Sequence, residues 1–319
     1  MPFVLAIALS TLVARPQEAR SQAPSSLVSK LEVSSTRILP LEPVQAVLRI
    51  QNNSRQPITI NASWEIAREI RTDAGKWETY YPDAVPIAGP SAPHPMRFLP
   101  GQARSFETYF DSDSVGNRKH AFSEPGSVYI RVSIGTVVSE AVRIEVLRPT
   151  GADAQALDEL RASGLARYFA IDMTDRYLQG KASRDLLERS SGTADSERLT
   201  RIRTEQAQHM AESQFAETQL RAFLGKYPAS VYSKHAELAL GVIALEGTSG
   251  DPDRKKARAI FEELRKRNQL FDAATFELGL LEGQEGNQRQ AATHFQELRT
   301  SGENPFYRAM ASRRLQQSQ

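Results

Sequence analysis

The sequence predicts a multidomain chain, all-β then all-α: an antiparallel β-sandwich followed by an array of paired helices. Three observations carry this expectation. Apolar and polar residues alternate in stretches of residues 27–148, the period of a strand with one buried face. Beyond residue 153 the apolar spacing widens to three to five positions, the period of a helix. Within that second part, key residues recur at an offset of 34.

A length of 319 residues suits about two domains. An apolar share of 40% with 24% charge belongs to a globular chain rather than a disordered one. The formal charge of +2 provides no long-range field toward nucleic acid or anionic lipid, so neither is expected as a partner. Cysteine is absent, which excludes disulfides, thiolate zinc sites and cysteine nucleophiles. An exported sandwich without such staples points to a bacterial source.

Residues 1–23 read as a signal peptide. The apolar run Phe3 to Ala14 spans twelve residues; as a helix it rises about 18 Å, short of a hydrocarbon core of about 30 Å. A small-x-small site ends at Ala23, with Pro24 after the cut bond and no Lys or Arg ahead of the run. A buried first strand or helix is the alternative. The expected location is periplasmic or secreted. No other stretch approaches 18 apolar residues, so no integral membrane segment is expected after signal removal.

The sandwich is expected over 27–148. Val44, Ala46, Leu48 and Ile50 alternate with Gln45, Val47, Arg49 and Gln51. Ile58, Ile60, Ala62 and Trp64 repeat the pattern, as do Val128, Ile130, Val132 and Ile134, then Val142, Ile144 and Val146. Turn residues at Asn52-Asn53-Ser54, Asp73-Ala74-Gly75, Pro100-Gly101 and Pro125-Gly126 separate the runs. Phe98-Leu-Pro-Gly101 ahead of Phe106, and Pro125-Gly-Ser-Val-Tyr129 ahead of the last two strands, resemble bacterial immunoglobulin-like modules. The stretch from Pro82 to Pro95 carries five prolines and is expected to be a long exposed loop.

Arg148-Pro-Thr-Gly-Ala-Asp153 reads as a linker, with Asp153 as the expected helix cap. Residues 153–214 are helical in pattern and are either degenerate repeats or a cap. Residues 215–319 carry the self-similarity. Ala257 and Phe261 recur as Ala291 and Phe295 at an offset of 34, and Leu278-Gly279 echoes Leu240-Gly241. Small residues let paired helices approach, and the Phe fills the space between pairs.

With Leu220-Arg-Ala-Phe-Leu-Gly-Lys-Tyr-Pro-Ala-Ser230 and Ala236-Glu-Leu-Ala-Leu-Gly241, this part resembles tetratricopeptide repeat proteins of the bacterial envelope. The resemblance implies a concave groove lined by the first helix of each pair. By register from Gly241 and Gly279, the implied partner-binding residues are His235, Leu238, Val242, Phe276, Leu280 and Gln284. This mostly apolar set lacks the Lys and Asn with which some family members clamp a terminal carboxylate, so an apolar segment of a protein partner is the expected occupant.

No catalytic residue, metal site or cofactor is expected. The five histidines, His94, His120, His209, His235 and His294, show no metal-ligand spacing. No phosphate-cradling glycine loop or hydrolase nucleophile elbow occurs. Asp111-x-Asp113-x-x-Gly116 lacks later calcium ligands and reads as a turn. Asn52 and Asn61 head glycosylation patterns. The basic stretch from Arg254 to Arg267 reads as a solvated helix face without interleaved aromatics. The expected function is a non-catalytic exported scaffold for protein–protein interaction. The rival is a carbohydrate-binding or enzymatic module with its site around Trp77, Tyr80, Tyr81 and the proline-rich loop.

Overall fold

The computed structural model describes residues 26–62, 66–73, 75–80, 94–110, 122–165, 213–246 and 252–317. Its order is strands and then helices. The strands are β1 (Leu27–Val33), β2 (Arg37–Ile38), β3 (Val44–Asn52), β4 (Ile58–Ala62), β5 (Ala67–Thr72), β6 (Glu78–Tyr80), β7 (His94–Phe98), β8 (Ala103–Phe110), β9 (Gly126–Ile134), β10 (Val137–Val138) and β11 (Val142–Val146). Antiparallel β1-β3-β8 form one sheet. A second runs β2-β11-β9-β5-β6, with β10 on β9 and β2 parallel to β11. A pair, β4-β7, completes the set.

The alternation explains the core. Val44, Ala46, Leu48 and Ile50 of β3 share one buried cluster with Ile130 and Val132 of β9, Ile144 of β11, and Ile60 and Phe98 of the small sheet. Asn52 is wholly buried at the end of β3. Its amide donates to the carbonyls of Gln56 (2.8 Å) and Phe98 (3.0 Å), and its oxygen accepts from the Ser54 N–H (2.9 Å). This side chain is consumed by its turn and offers no attachment point for a glycan.

Two readings change here. The proline-rich loop was expected to run through Pro95, but β7 begins at His94, with Pro95 opposite Asn61. A proline is tolerated because, among the described residues, β7 pairs on one side only. Val47 should face solvent by alternation, yet it is 4% exposed. A helix covers that face.

The helices are α1 (Gly151–Ser163), α2 (213–226), α3 (Ser233–Glu246), α4 (Arg254–Lys266), α5 (Phe271–Gln284), α6 (Gln288–Ser301) and α7 (Pro305–Gln317). Thr150, not Asp153, precedes α1. Asp153 instead accepts from the Ser230 hydroxyl and the Val231 N–H, both at 2.8 Å, and so ties α1 to the turn before α3.

One joint recurs in the array. A Cβ added at Gly241 of α3 would lie 2.3 Å from the Phe261 ring of α4, and one at Gly279 of α5 would lie 2.6 Å from the Phe295 ring of α6. Glycine is required at both places because the ring sits directly on the backbone. Between these joints, α5 is buried from Asp272 to Glu282. Helix α7 lies on β3 and β8, and Val47 joins the cluster of Phe276, Phe306 and Tyr307. Among the described residues no helix is long and apolar enough to cross a membrane.

Candidate functional site

The connection Leu39 to Pro43 carries β2 into β3 and forms a knuckle that enters the helices. Leu41 is 2% exposed and belongs to the same buried cluster as Leu157, Tyr232 and Ala236. Its backbone adopts φ +67°, the left-handed region that costs a leucine roughly 1–2 kcal/mol. Two bonds within the knuckle hold the turn: the Glu42 N–H donates to the Leu39 carbonyl (3.2 Å), and the Leu39 N–H donates to the Glu42 carboxylate (2.8 Å). The Leu41 N–H donates to the Phe122 carbonyl at 3.0 Å.

Helix α3 and the turn before it grip this knuckle. The Tyr232 hydroxyl donates to the Pro40 carbonyl at 2.8 Å. His235 Nε2 lies 3.1 Å, and Lys234 Nζ 3.3 Å, from Glu42 Oε1. Burial works to push the Glu42 carboxyl up, but the His235 bond and charge, Lys234 and the Leu39 N–H together hold it at about 2. Burial pushes the His235 imidazole down, only partly opposed by Glu42.

A second set of contacts joins α7 to the strands. The Asn304 amide donates to Gln45 Oε1 at 3.2 Å, Arg313 pairs with Glu107, and Arg308 lies 3.9 Å from Glu32. Between the knuckle and this second set opens a cavity of about 710 Å³. Ser34, Arg37, Ile38 and Gln45 form its strand wall; Leu238, Val242, Asp272 and Glu277 stand on the helix wall. Burial raises Asp272, although the Asn304 N–H donates to it at 2.5 Å. Asn304 in turn accepts from the Phe306 N–H at 3.0 Å, so this corner doubles as the start of α7.

Three of the six residues implied for a groove, His235, Leu238 and Val242, line this cavity. Phe276 and Leu280 are buried elsewhere, the Phe276 ring centroid 5.6 Å from those of Phe295 and of Tyr307. Gln284 is half-buried near the end of α5. Sequence reasoning missed Ser34, Arg37, Glu42 and Gln45. Their only local signal is the two-proline segment Leu39-Pro-Leu-Glu-Pro43, whose leucines are set apart from the strand alternation.

The basic stretch is largely internal to the array. Lys256 pairs with Glu217 (2.6 Å), Arg265 with Glu297 (2.7 Å), Arg258 with Glu282 and Glu285, and Arg267 with Glu237. These acids lie on α2, α3, α5 and α6 or the turn after α5, so the cations of α4 and its end tie it both to adjacent helices and to the next helix but one on either side. The Trp77 ring carries the Arg131 guanidinium at 4.1 Å and the Arg71 guanidinium at 5.0 Å. Buried Glu69 holds Arg131 through two bonds of 2.8 and 3.2 Å. Tyr80 is buried, 5.4 Å from Phe110. Tyr81, Trp64, residues 82–93, Asp111 to Gly116, His120, His209 and the leader lie outside the described residues. Among the described residues no three potential ligands converge to hold a metal ion.

No family model matches the chain, and no curated protein does. Solved structures show short, faint likenesses. A β-glucosidase of Erythrobacter marinus aligns at 12% identity and TM-score 0.27 over 38% of this chain and 15% of its own. A DNA-bound alkylpurine DNA glycosylase of Pseudomonas fluorescens aligns at 12% and 0.28, over 39% and 31%. The sporulation control protein Spo0M of Bacillus subtilis aligns at 13% and 0.23, over 44% and 56%. The chain thus spans well under two thirds of each, and scores this low carry no inference about fold or activity.

Proposed function

We propose that the chain is a non-catalytic, exported interaction scaffold of a bacterial envelope, which holds a short segment of a partner protein between its two halves. The cavity of about 710 Å³ carries this reading, because strand and helix residues build it jointly. Its apolar surface at Ile38, Leu238 and Val242 beside charged Arg37 and Glu277 suits a peptide, which presents both kinds of group along one backbone. The repeated seating of Phe261 on Gly241 and Phe295 on Gly279 supports a tetratricopeptide-like array. A core cluster drawing on three sheets supports an immunoglobulin-like sandwich. Export rests on the apolar run Phe3 to Ala14.

The carbohydrate reading weakens on one observation: guanidinium groups already occupy the Trp77 ring on which a sugar would stack. The test places a photo-crosslinking phenylalanine analogue at position 238 of the full chain in its native host. A discrete protein adduct, missing from a control with the analogue at exposed position 296, is the expected result. Equal labelling from both positions would sink the proposal.

A further inference from the structure

Val128, Ile130 and Val132 of β9, Ile144 of β11 and Ile70 of β5 turn toward the strand core, so their neighbours Tyr129, Arg131, Arg143, Glu69 and Arg71 alternate onto the outer face of that sheet. In register across three strands stand Arg143, Tyr129 and Arg71. The Arg71 guanidinium lies 5.0 Å from the centre of the Trp77 ring and 4.9 Å from that of Tyr129. We propose that this row, with Arg71 and Arg143 on either side of Tyr129, is a docking site for an acidic peptide segment of a partner protein. The inference does not depend on what the cleft between the halves holds.

The two arginines stacked on Trp77 differ in one respect. Arg131, 4.1 Å from the ring centre, has its counter-ion inside the chain, because Glu69 accepts two bonds from it at 2.8 and 3.2 Å. Arg71 has none: among the described residues no carboxylate pairs with it, and its buried Nε donates to no acceptor. Arg143 lacks one as well, its Nε and Nη2 both reaching the Ser127 hydroxyl at 3.1 and 2.8 Å. Glu145, next outward along β11, is paired with Arg37 at 3.2 Å. Asp73, Lys76 and Glu140 are exposed at the margins of this face, and neither acid pairs with Arg71 or Arg143. Arg131, fixed by Glu69, already secures the Trp77 ring. Arg71 adds a charge that the fold does not neutralise, on a guanidinium whose plane two rings hold and partly desolvate.

The bond between Glu69 and Arg131 displays, on the same face, what the ligand supplies at Arg71: a planar carboxylate against a ring-stacked guanidinium fork. Arg143 leans toward Ser127 and Arg71 toward the rings, so the two forks take separate carboxylates. Strands lie about 4.8 Å apart, which sets the Arg71 and Arg143 backbones about 10 Å from each other. Same-face side chains of an extended segment repeat at about 7 Å, and two acidic ones cover that span. The occupant is therefore a peptide with at least two neighbouring carboxylates, read by an arginine pair.

The probe is fluorescein-labelled hexaglutamate, followed by anisotropy on the full chain, with hexalysine, inorganic phosphate and phosphatidylglycerol vesicles as alternative ligands. Hexaglutamate is expected to bind, more weakly as salt is added, and hexalysine not to bind. Arg71→Gln and Arg143→Gln are each expected to weaken binding about tenfold, whereas Arg289→Gln, exposed on α6, leaves it unchanged. Arg71→Lys, which keeps the charge and loses the fork, is expected to retain only part of the affinity. Because Arg143 is exposed, its variant carries the test if circular dichroism shows that Arg71→Gln fails to fold. Absence of hexaglutamate binding, an equal loss in Arg289→Gln, or preferential binding of phosphate or of the vesicles would overturn the proposal.

Discussion

The strand half and helices α3 to α6 are built on opposite scales of distance along the chain. In these helices near neighbours meet, with Phe261 of α4 seated on Gly241 of α3 and Phe295 of α6 on Gly279 of α5; α1 is the exception, its Asp153 reaching 77 positions ahead to Ser230. The strand half is joined by remote ones. Arg131 reaches back 62 positions to Glu69, and β2 pairs with β11. Near-neighbour joints can form as each helix pair is completed, whereas remote ones need the whole sheet. The difference teaches that each Gly–Phe joint needs only its own helix pair, whereas the strands cannot be cut without losing a sheet.

The sharpest way to break this contrast is Phe261→Ala. It removes a fully buried ring from the seam between α3 and α4 and is expected to cost about 3–5 kcal/mol. The only tryptophans, Trp64 and Trp77, are in the strand half, so fluorescence follows the strands while helical dichroism follows the array. Because Leu41 belongs to the helical cluster, both signals are expected to shift together in urea. A shift in dichroism alone would show two independent halves.

Gly241→Ala comes next, at about 1–3 kcal/mol, since the added carbon meets the Phe261 ring at 2.3 Å. Gly279→Ala, whose added carbon would lie 2.6 Å from the Phe295 ring, is expected at the lower end of that range. Combining Gly241→Ala with Phe261→Leu is expected to recover part of the loss, a coupling that melting curves of the four variants would measure. Val47→Ser is expected to cost about 1–2 kcal/mol and to pull the two urea transitions apart, because it removes the strand contribution to the cluster of Phe276, Phe306 and Tyr307 under α7. The smallest effect, below about 1 kcal/mol, is expected for Arg265→Ala, whose pair with Glu297 is partly exposed. A larger loss would mean that the cations between helices act as a network.

Legibility followed the same divide. Strands β3, β4, β9 and β11 were plain from period-two alternation, and the recurrence of Gly and Phe from self-similarity, because each signal is local; the Phe was expected between pairs, yet Phe261 and Phe295 sit on the Gly of their own pair. Val47 was misplaced because the helix that covers it lies far along the chain, beyond the reach of a face pattern. Pro95 was misplaced because a proline count registers lost donors without knowing that β7 lies at an edge. Asp153 has the composition of a cap, but its oxygen serves the turn at Ser230 and Val231. Half of the implied groove reached the cleft, at His235, Leu238 and Val242. The other wall came from Ser34, Arg37 and Gln45, which no helical repeat could indicate.

The burial of Val47 beneath α7 also imposes an order in time. On that rim, the bond between Asn304 and Gln45 spans 259 positions. A ribosome makes β3 early and α7 only after most of the intervening chain has emerged. Throughout that interval the outer face of the first sheet waits bare, and a nascent chain halted before residue 305 would present Val47 to its neighbours as a sticky patch.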